Sequence, residues 1–186
     1  MDSRILLTRT HLEQALTPEQ VRPTIIIRIG LMLGIFFFYL ATFVIHSIQP
    51  TVIISQVDAN LMDILSGVHA VIMITMMVVS FVLSKNTLRK GRIASDTVLD
   101  TPEKIATQAV NLHRVSSLLL MAPLEGAAFF GAAVCLIGVE AGIIQNLPIY
   151  WLNTISGVVL IGVGFITFPT RDRILTTLES VFILDR

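Results

Sequence analysis

Cysteine is almost missing from these 186 residues: Cys135 stands alone, so no internal disulfide framework holds the fold. Charge is scarce as well. Asp, Glu, Lys and Arg make up 14% of the chain, against about 25% in an ordinary soluble domain. Thirteen basic residues are cancelled by thirteen acidic ones, leaving no cationic excess of the kind that draws a chain to nucleic acid. Nucleotide-cradling loops, nucleophile signatures and zinc-type ligand spacings are missing too. What is present is apolar: 54% of residues are hydrophobic and the mean hydropathy is +0.80. That balance excludes a soluble enzyme, a nucleic-acid-binding protein and a disordered tail, and points to a chain that lives in lipid.

A bilayer core of about 30 Å is crossed by about 20 helical residues. Four stretches are long enough: Thr24–His46, Leu61–Leu83, Val115–Val139 and Leu147–Phe168. They predict an all-α polytopic membrane protein of four transmembrane helices arranged as two hairpins. The segments that follow are an N-terminal piece (1–23), a first hairpin (24–84), a connector (85–114), a second hairpin (115–168) and a tail (169–186). The first of these lacks the long apolar core of a secretory signal, so it is expected to be retained.

The basic residues set the orientation. Arg4, Arg9, Arg22 and Arg28 precede or open the first stretch, and Lys85, Arg89, Lys90, Arg92, Lys104 and Arg114 lie between the second and third. Arg171, Arg173 and Arg186 follow the fourth, while SIQPTVIISQVDAN and EAGIIQN hold no Lys or Arg. The positive-inside rule therefore places both termini in the cytoplasm of a bacterial inner membrane and both hairpin tips outside. Thr17-Pro18-Glu19 and Thr101-Pro102-Glu103 each offer an N-cap, a Pro at the first helical position and an early carboxylate. They predict short amphipathic cytoplasmic helices leading into a span. In the tail, Ile174, Leu175, Leu178, Phe182 and Ile183 recur at helical spacing, as expected of a helix lying on the interface or packed on a neighbour.

The two hairpins share sequence. Gly34, Phe37, Phe38, Ala41 and Ile45 correspond in order to Gly126, Phe129, Phe130, Ala133 and Ile137, and Ser66-Gly67-Val68 recurs as Ser156-Gly157-Val158. A duplicated unit of two spans keeps its orientation, so the copies are expected to be parallel repeats.

Glu125 is the outstanding polar residue. It lies about 16 Å along the helix axis from Arg114, too deep for its carboxylate to reach the interface. An ionisable group at such depth is costly and marks a functional candidate. Two readings stand: a carboxyl that hydrogen-bonds a neighbouring helix, or one that carries an ion or proton. Ala122, Gly126, Ala127, Gly131 and Ala132 surround it with the small residues that let helices approach closely. On the second stretch Asp63, Ser66 and His69 form a polar stripe, and Asn153 with Ser156 forms a matching one on the fourth. Both stripes should face the protein interior or the other repeat. A Glu125–His69 pair would make a relay from the outer side. His46 and His113 lie at opposite edges of the apolar stretches, so no second histidine shares the depth of His69 and haem ligation is not expected. Met73, Met76 and Met77 read as packing, since no Cys or His accompanies them; no metal or cofactor is expected.

The segment LEGAAFFGAAVCLIG resembles the carboxylate-bearing helix of rotary-ATPase proteolipid (c-type) subunits, in which an acid among Gly and Ala binds the transported proton or sodium ion and subunits form a ring. The resemblance implies that role for Glu125 alone. It covers one helix, and the Gly-rich first helix of the proteolipid is not found here. LEGAAFF and the FPTRDRI ending also resemble uncharacterised small four-span bacterial membrane proteins. Together these features predict a non-enzymatic membrane subunit, structural or assembly-forming, that self-associates through the Glu125 helix as a homo-oligomer or within a larger membrane complex. A proteolipid-like subunit translocating H⁺ or Na⁺ at Glu125 is the alternative, and a small-solute carrier is third.

Overall fold

A computed structural model describes residues 7–50, 56–98 and 101–184. Arg4, Arg186 and residues 51–55 of the first connection lie outside them. The described residues are helical, without strands. The order is α1 (Arg9–Ala15), α2 (Pro18–Ile48), α3 (Gln56–Val98), α4 (Pro102–Glu140), α5 (Ile143–Asn146), a 3₁₀ segment (Pro148–Thr154), α6 (Ile155–Ile166), α7 (Arg171–Glu179) and a closing π-type turn (Ser180–Leu184). Four segments are long and apolar enough to cross a membrane: Pro18–Ile48, Asp58–Gly91, Pro102–Glu140 and Pro148–Ile166.

Two Thr-Pro-Glu signals start helices as their capping chemistry dictates, α2 at Pro18 and α4 at Pro102. Neither start belongs to a separate short helix. Both run on into the apolar stretch because nothing between breaks the backbone ladder; Pro23, within the first two turns of α2, orphans only the carbonyl of Glu19. In the same way the expected connector 85–114 is shared between the end of α3 and the start of α4. The 43 residues of α3 rise about 65 Å, twice the apolar core of a bilayer, so its Lys- and Arg-bearing end extends past the apolar part.

The fourth stretch departs from one uniform helix. After α4 the chain turns at Gly142, whose φ of 70° is open to a residue without Cβ. It passes through α5 and enters a 3₁₀ segment with Pro148 at its first position. The tighter winding has a consequence for length. Its 19 residues, part 3₁₀ and part α, rise about 32 Å, which a wholly α-helical segment of that size would not reach.

The chain divides into two compact units. One comprises Met1–Arg28, Phe81–Leu120 and Thr167–Arg186. Its core is Leu12, Leu16, Ile105, Ala109, Val110, Ile174, Leu175, Leu178 and Phe182. The tail residues spaced for an amphipathic helix thus find their apolar partners within the chain, on α1 and the first turns of α4. Arg9 bridges Glu13 at 2.8 Å and Glu179 at 3.2 Å across the same contact, although exposed pairs of this kind are screened by water and add little.

The other unit comprises Ile29–Ser80 and Met121–Ile166. It holds two apolar clusters. Met62, Val134, Cys135, Val139, Ile143, Ile144 and Tyr150 form one, and Met32, Ile35, Met121, Leu124, Ala128 and Leu160 the other. Much apolar surface remains outside them: only 11% of the hydrophobic window of α3 is buried. Val71, Ile74 and Val78 on α3, Phe36, Phe37 and Phe43 on α2, and Phe165 on α6 are exposed. A surface of that kind is compatible with an integral membrane protein.

Candidate functional site

The polar stripes meet. On α3, Asp63, Ser66 and His69 fall three residues apart, nearly one helical turn each. Opposite them the 3₁₀ segment repeats every three residues, so Tyr150 and Asn153 lie one above the other, and Ser156 follows at the start of α6. The two series run in the same direction and pair rung by rung. Tyr150 Oη donates to Asp63 Oδ1 at 2.8 Å. Asn153 Nδ2 donates to Ser66 Oγ at 2.9 Å and to the Tyr150 carbonyl at 2.9 Å. His69 lies 2.8 Å by Nδ1 from Asn153 Oδ1 and 3.0 Å by Nε2 from Ser156 Oγ.

The Asn153 amide decides the proton positions. Because its NH₂ is committed to Ser66 and Tyr150, its Oδ1 accepts, so His69 carries the proton on Nδ1. Nε2 is then left as an acceptor facing the Ser156 hydroxyl, whose single proton the Asn153 carbonyl, at 3.3 Å, competes for. His69, Asn153 and Ser156 are each at least 96% buried by their exposures of 3%, 4% and 2%, and burying such groups without partners would cost about 1–3 kcal/mol apiece. Their mutual bonds remove that cost and tie α3 to the fourth stretch. Phe130 stacks on the imidazole at 6.1 Å between centroids. Gly131 lets α4 approach: a Cβ there would lie 2.6 Å from His69 Nε2 and 2.7 Å from Ser156 Oγ. Beside the ladder, an open cavity of about 390 Å³ is lined by Asp63, Ser66, His69, Met73, Tyr150 and Asn153.

Glu125 is placed differently. It is half-buried on α4 and makes no hydrogen bond or ion pair with the described residues; the ring nitrogens of His69 are directed to Asn153 and Ser156 and not to Glu125. The small residues around it divide. Ala127, Gly131 and Ala132 are buried within the chain, whereas Ala122 and Gly126 are exposed, with open space where a Gly126 Cβ would stand. The residue Glu125 thus borders the outward face of α4, the one not consumed by internal packing.

Two functional-grade polar residues were not singled out from sequence. Tyr150 continues the Asn153–Ser156 spacing by one further step, and that periodicity is the signal that marks it. Arg28 was read only as a flanking charge. It is buried at 3% exposure, and donates through Nη1 to the Thr167 carbonyl and hydroxyl and through Nη2 to Ser117 Oγ at 2.6 Å. Nearby in the same unit, Ser84 and Ser116 hydroxyls pair at 2.8 Å. Among the described residues no three His, Cys, Asp or Glu side chains converge as metal ligands would. No family model, no curated protein and no solved structure matches this chain.

Proposed function

We propose that the protein is a non-enzymatic integral membrane subunit that self-associates through the α4 face carrying Ala122, Glu125 and Gly126. The supporting observation is the half-exposed, unpartnered carboxyl of Glu125 between two exposed small residues. Against lipid such a group is costly, so a second helix that supplies a hydrogen-bond partner lowers its free energy. Small residues on either side let that helix come close. The ladder of Asp63, Ser66, His69, Tyr150, Asn153 and Ser156 serves in this reading as an internal clamp that holds the unit rigid behind the interface. The distribution of Lys and Arg supports a bacterial inner-membrane location with both termini cytoplasmic.

The mass of the detergent-solubilised protein tests the reading. Wild type is expected as an oligomer, Gly126→Leu and Glu125→Leu as smaller species, and Glu125→Gln, which keeps hydrogen-bonding capacity, as an oligomer still. A wild-type monomer overturns it. The unpartnered carboxyl also favours a second reading, a proteolipid-like subunit that binds H⁺ or Na⁺ at Glu125. There a hydrophobic carbodiimide labels Glu125 and sodium protects it, and Glu125→Gln abolishes ion flux while leaving assembly intact.

A further inference from the structure

A cavity of about 530 Å³ opens between the first turns of α2 and the bend that enters α7. Its walls are mostly apolar, with Val21, Ile25, Phe168 and Pro169 among them, and Arg22 and Arg171 line it too. Both arginines are exposed, and neither pairs with a carboxylate among the described residues; Arg171 only donates to the Glu13 carbonyl at 3.4 Å. The nearest acids in sequence, Glu19 and Asp172, are exposed and do not line the cavity, while Glu13 is held by Arg9. Three residues beyond Ile25 on α2, buried Arg28 adds a third positive charge with no carboxylate partner, and its Nε has no acceptor. Positive charge is thus gathered where two apolar stretches end, at and beside a cavity whose other walls are mostly hydrocarbon.

We infer that this cavity binds the phosphate headgroup of an anionic phospholipid. The inference rests on the membrane reading above and is independent of self-association. A guanidinium suits the oxygens of a phosphate in charge and in hydrogen-bonding geometry, and two of them line this one cavity. The apolar walls fit the first carbons of the acyl chains, which inorganic phosphate would leave uncovered. Basic pockets at helix ends on the cytoplasmic side hold anionic headgroups for these reasons.

The test uses the full chain in detergent, with dioleoyl phosphatidylglycerol, dioleoyl phosphatidylcholine and inorganic phosphate as separate probes, read by native mass spectrometry. Phosphatidylglycerol is expected to be retained in preference to phosphatidylcholine. The double variant Arg22→Gln/Arg171→Gln should weaken its affinity about thirtyfold, since each arginine is worth roughly a factor of five near an anionic surface. Ile25→Trp, which fills the cavity and leaves both charges, should weaken it as well, and Lys104→Gln, outside the cavity, should not. Equal retention of the two lipids overturns the inference, as does unchanged affinity in either cavity variant. Displacement of the lipid by millimolar inorganic phosphate also overturns it, in favour of a free-anion site. Alkaline carbonate extraction separates the two levels. Release of the protein from membranes removes the membrane reading itself, whereas retention without lipid preference removes only the site.

Discussion

Gly126 and Gly131 lie on one helix and meet opposite surroundings. A side chain at Gly126 would enter open space, whereas one at Gly131 would run into His69, Ser156 and the Asn153 carbonyl. Gly131→Ala is therefore expected to destabilise by about 1–3 kcal/mol through overpacking. Gly126→Ala should leave the isolated subunit unchanged or stabilise it by up to about 1 kcal/mol, the helix-propensity gain over Gly. Thermal unfolding of the two variants in the same detergent checks this; equal losses would show that the ladder does not constrain α4. The ladder itself was partly legible in sequence. Asp63, Ser66 and His69 at helical spacing in an apolar run are expected to face inward. His69 is buried and Ser66 half-buried, whereas Asp63 stays exposed and meets the Tyr150 hydroxyl at the rim. Which rung each would join was not legible, since that depends on the 3₁₀ winding that aligns Tyr150 with Asn153.

At the level of elements, α7 shows how a short amphipathic helix is held. Thr170 caps it by accepting from the Arg173 amide at 3.4 Å, and Ile174, Leu175 and Leu178 face the apolar cluster that Phe182 completes. Nine residues make a marginal helix on their own, so its order comes from packing. Phe182 has no exposed surface, and Phe182→Ala should cost about 3–5 kcal/mol. Hydrogen exchange is expected to accelerate in α1 and α7 together, because both rest on that cluster; unchanged protection in α1 would refute the shared core. Helix starts were readable from Thr-Pro-Glu, since capping is a local matter of donors and φ. The joining of those starts to long helices, and the 3₁₀ beginning of the fourth stretch, were not. Hydropathy records only that a segment is apolar, not how tightly it winds.

For the whole molecule, the asymmetric placement of Lys and Arg makes a directional prediction. Cys135 has no exposed surface, so the wild-type thiol should react slowly with maleimides, and a Cys135→Ser background offers clean labelling. On intact cells, an impermeant maleimide should label the thiol of Glu140→Cys and not that of Lys90→Cys, both positions being exposed. Labelling at position 90 alone would reverse the proposed orientation.

By itself the sequence determined the all-helical class, the four apolar stretches and the two Thr-Pro-Glu helix starts. Each of these follows from local composition or capping, or from the cost of leaving backbone polar groups unpaired in lipid. Only the tertiary structure decided which faces those helices turn inward. A helix apolar all round carries no stripe to show its buried side, so packing alone sorted Ala127, Gly131 and Ala132 into the interior. It left Ala122, Glu125 and Gly126 at the outward face. It also brought the tail back onto α1 and α4, where buried apolar area and not propensity sets the preference.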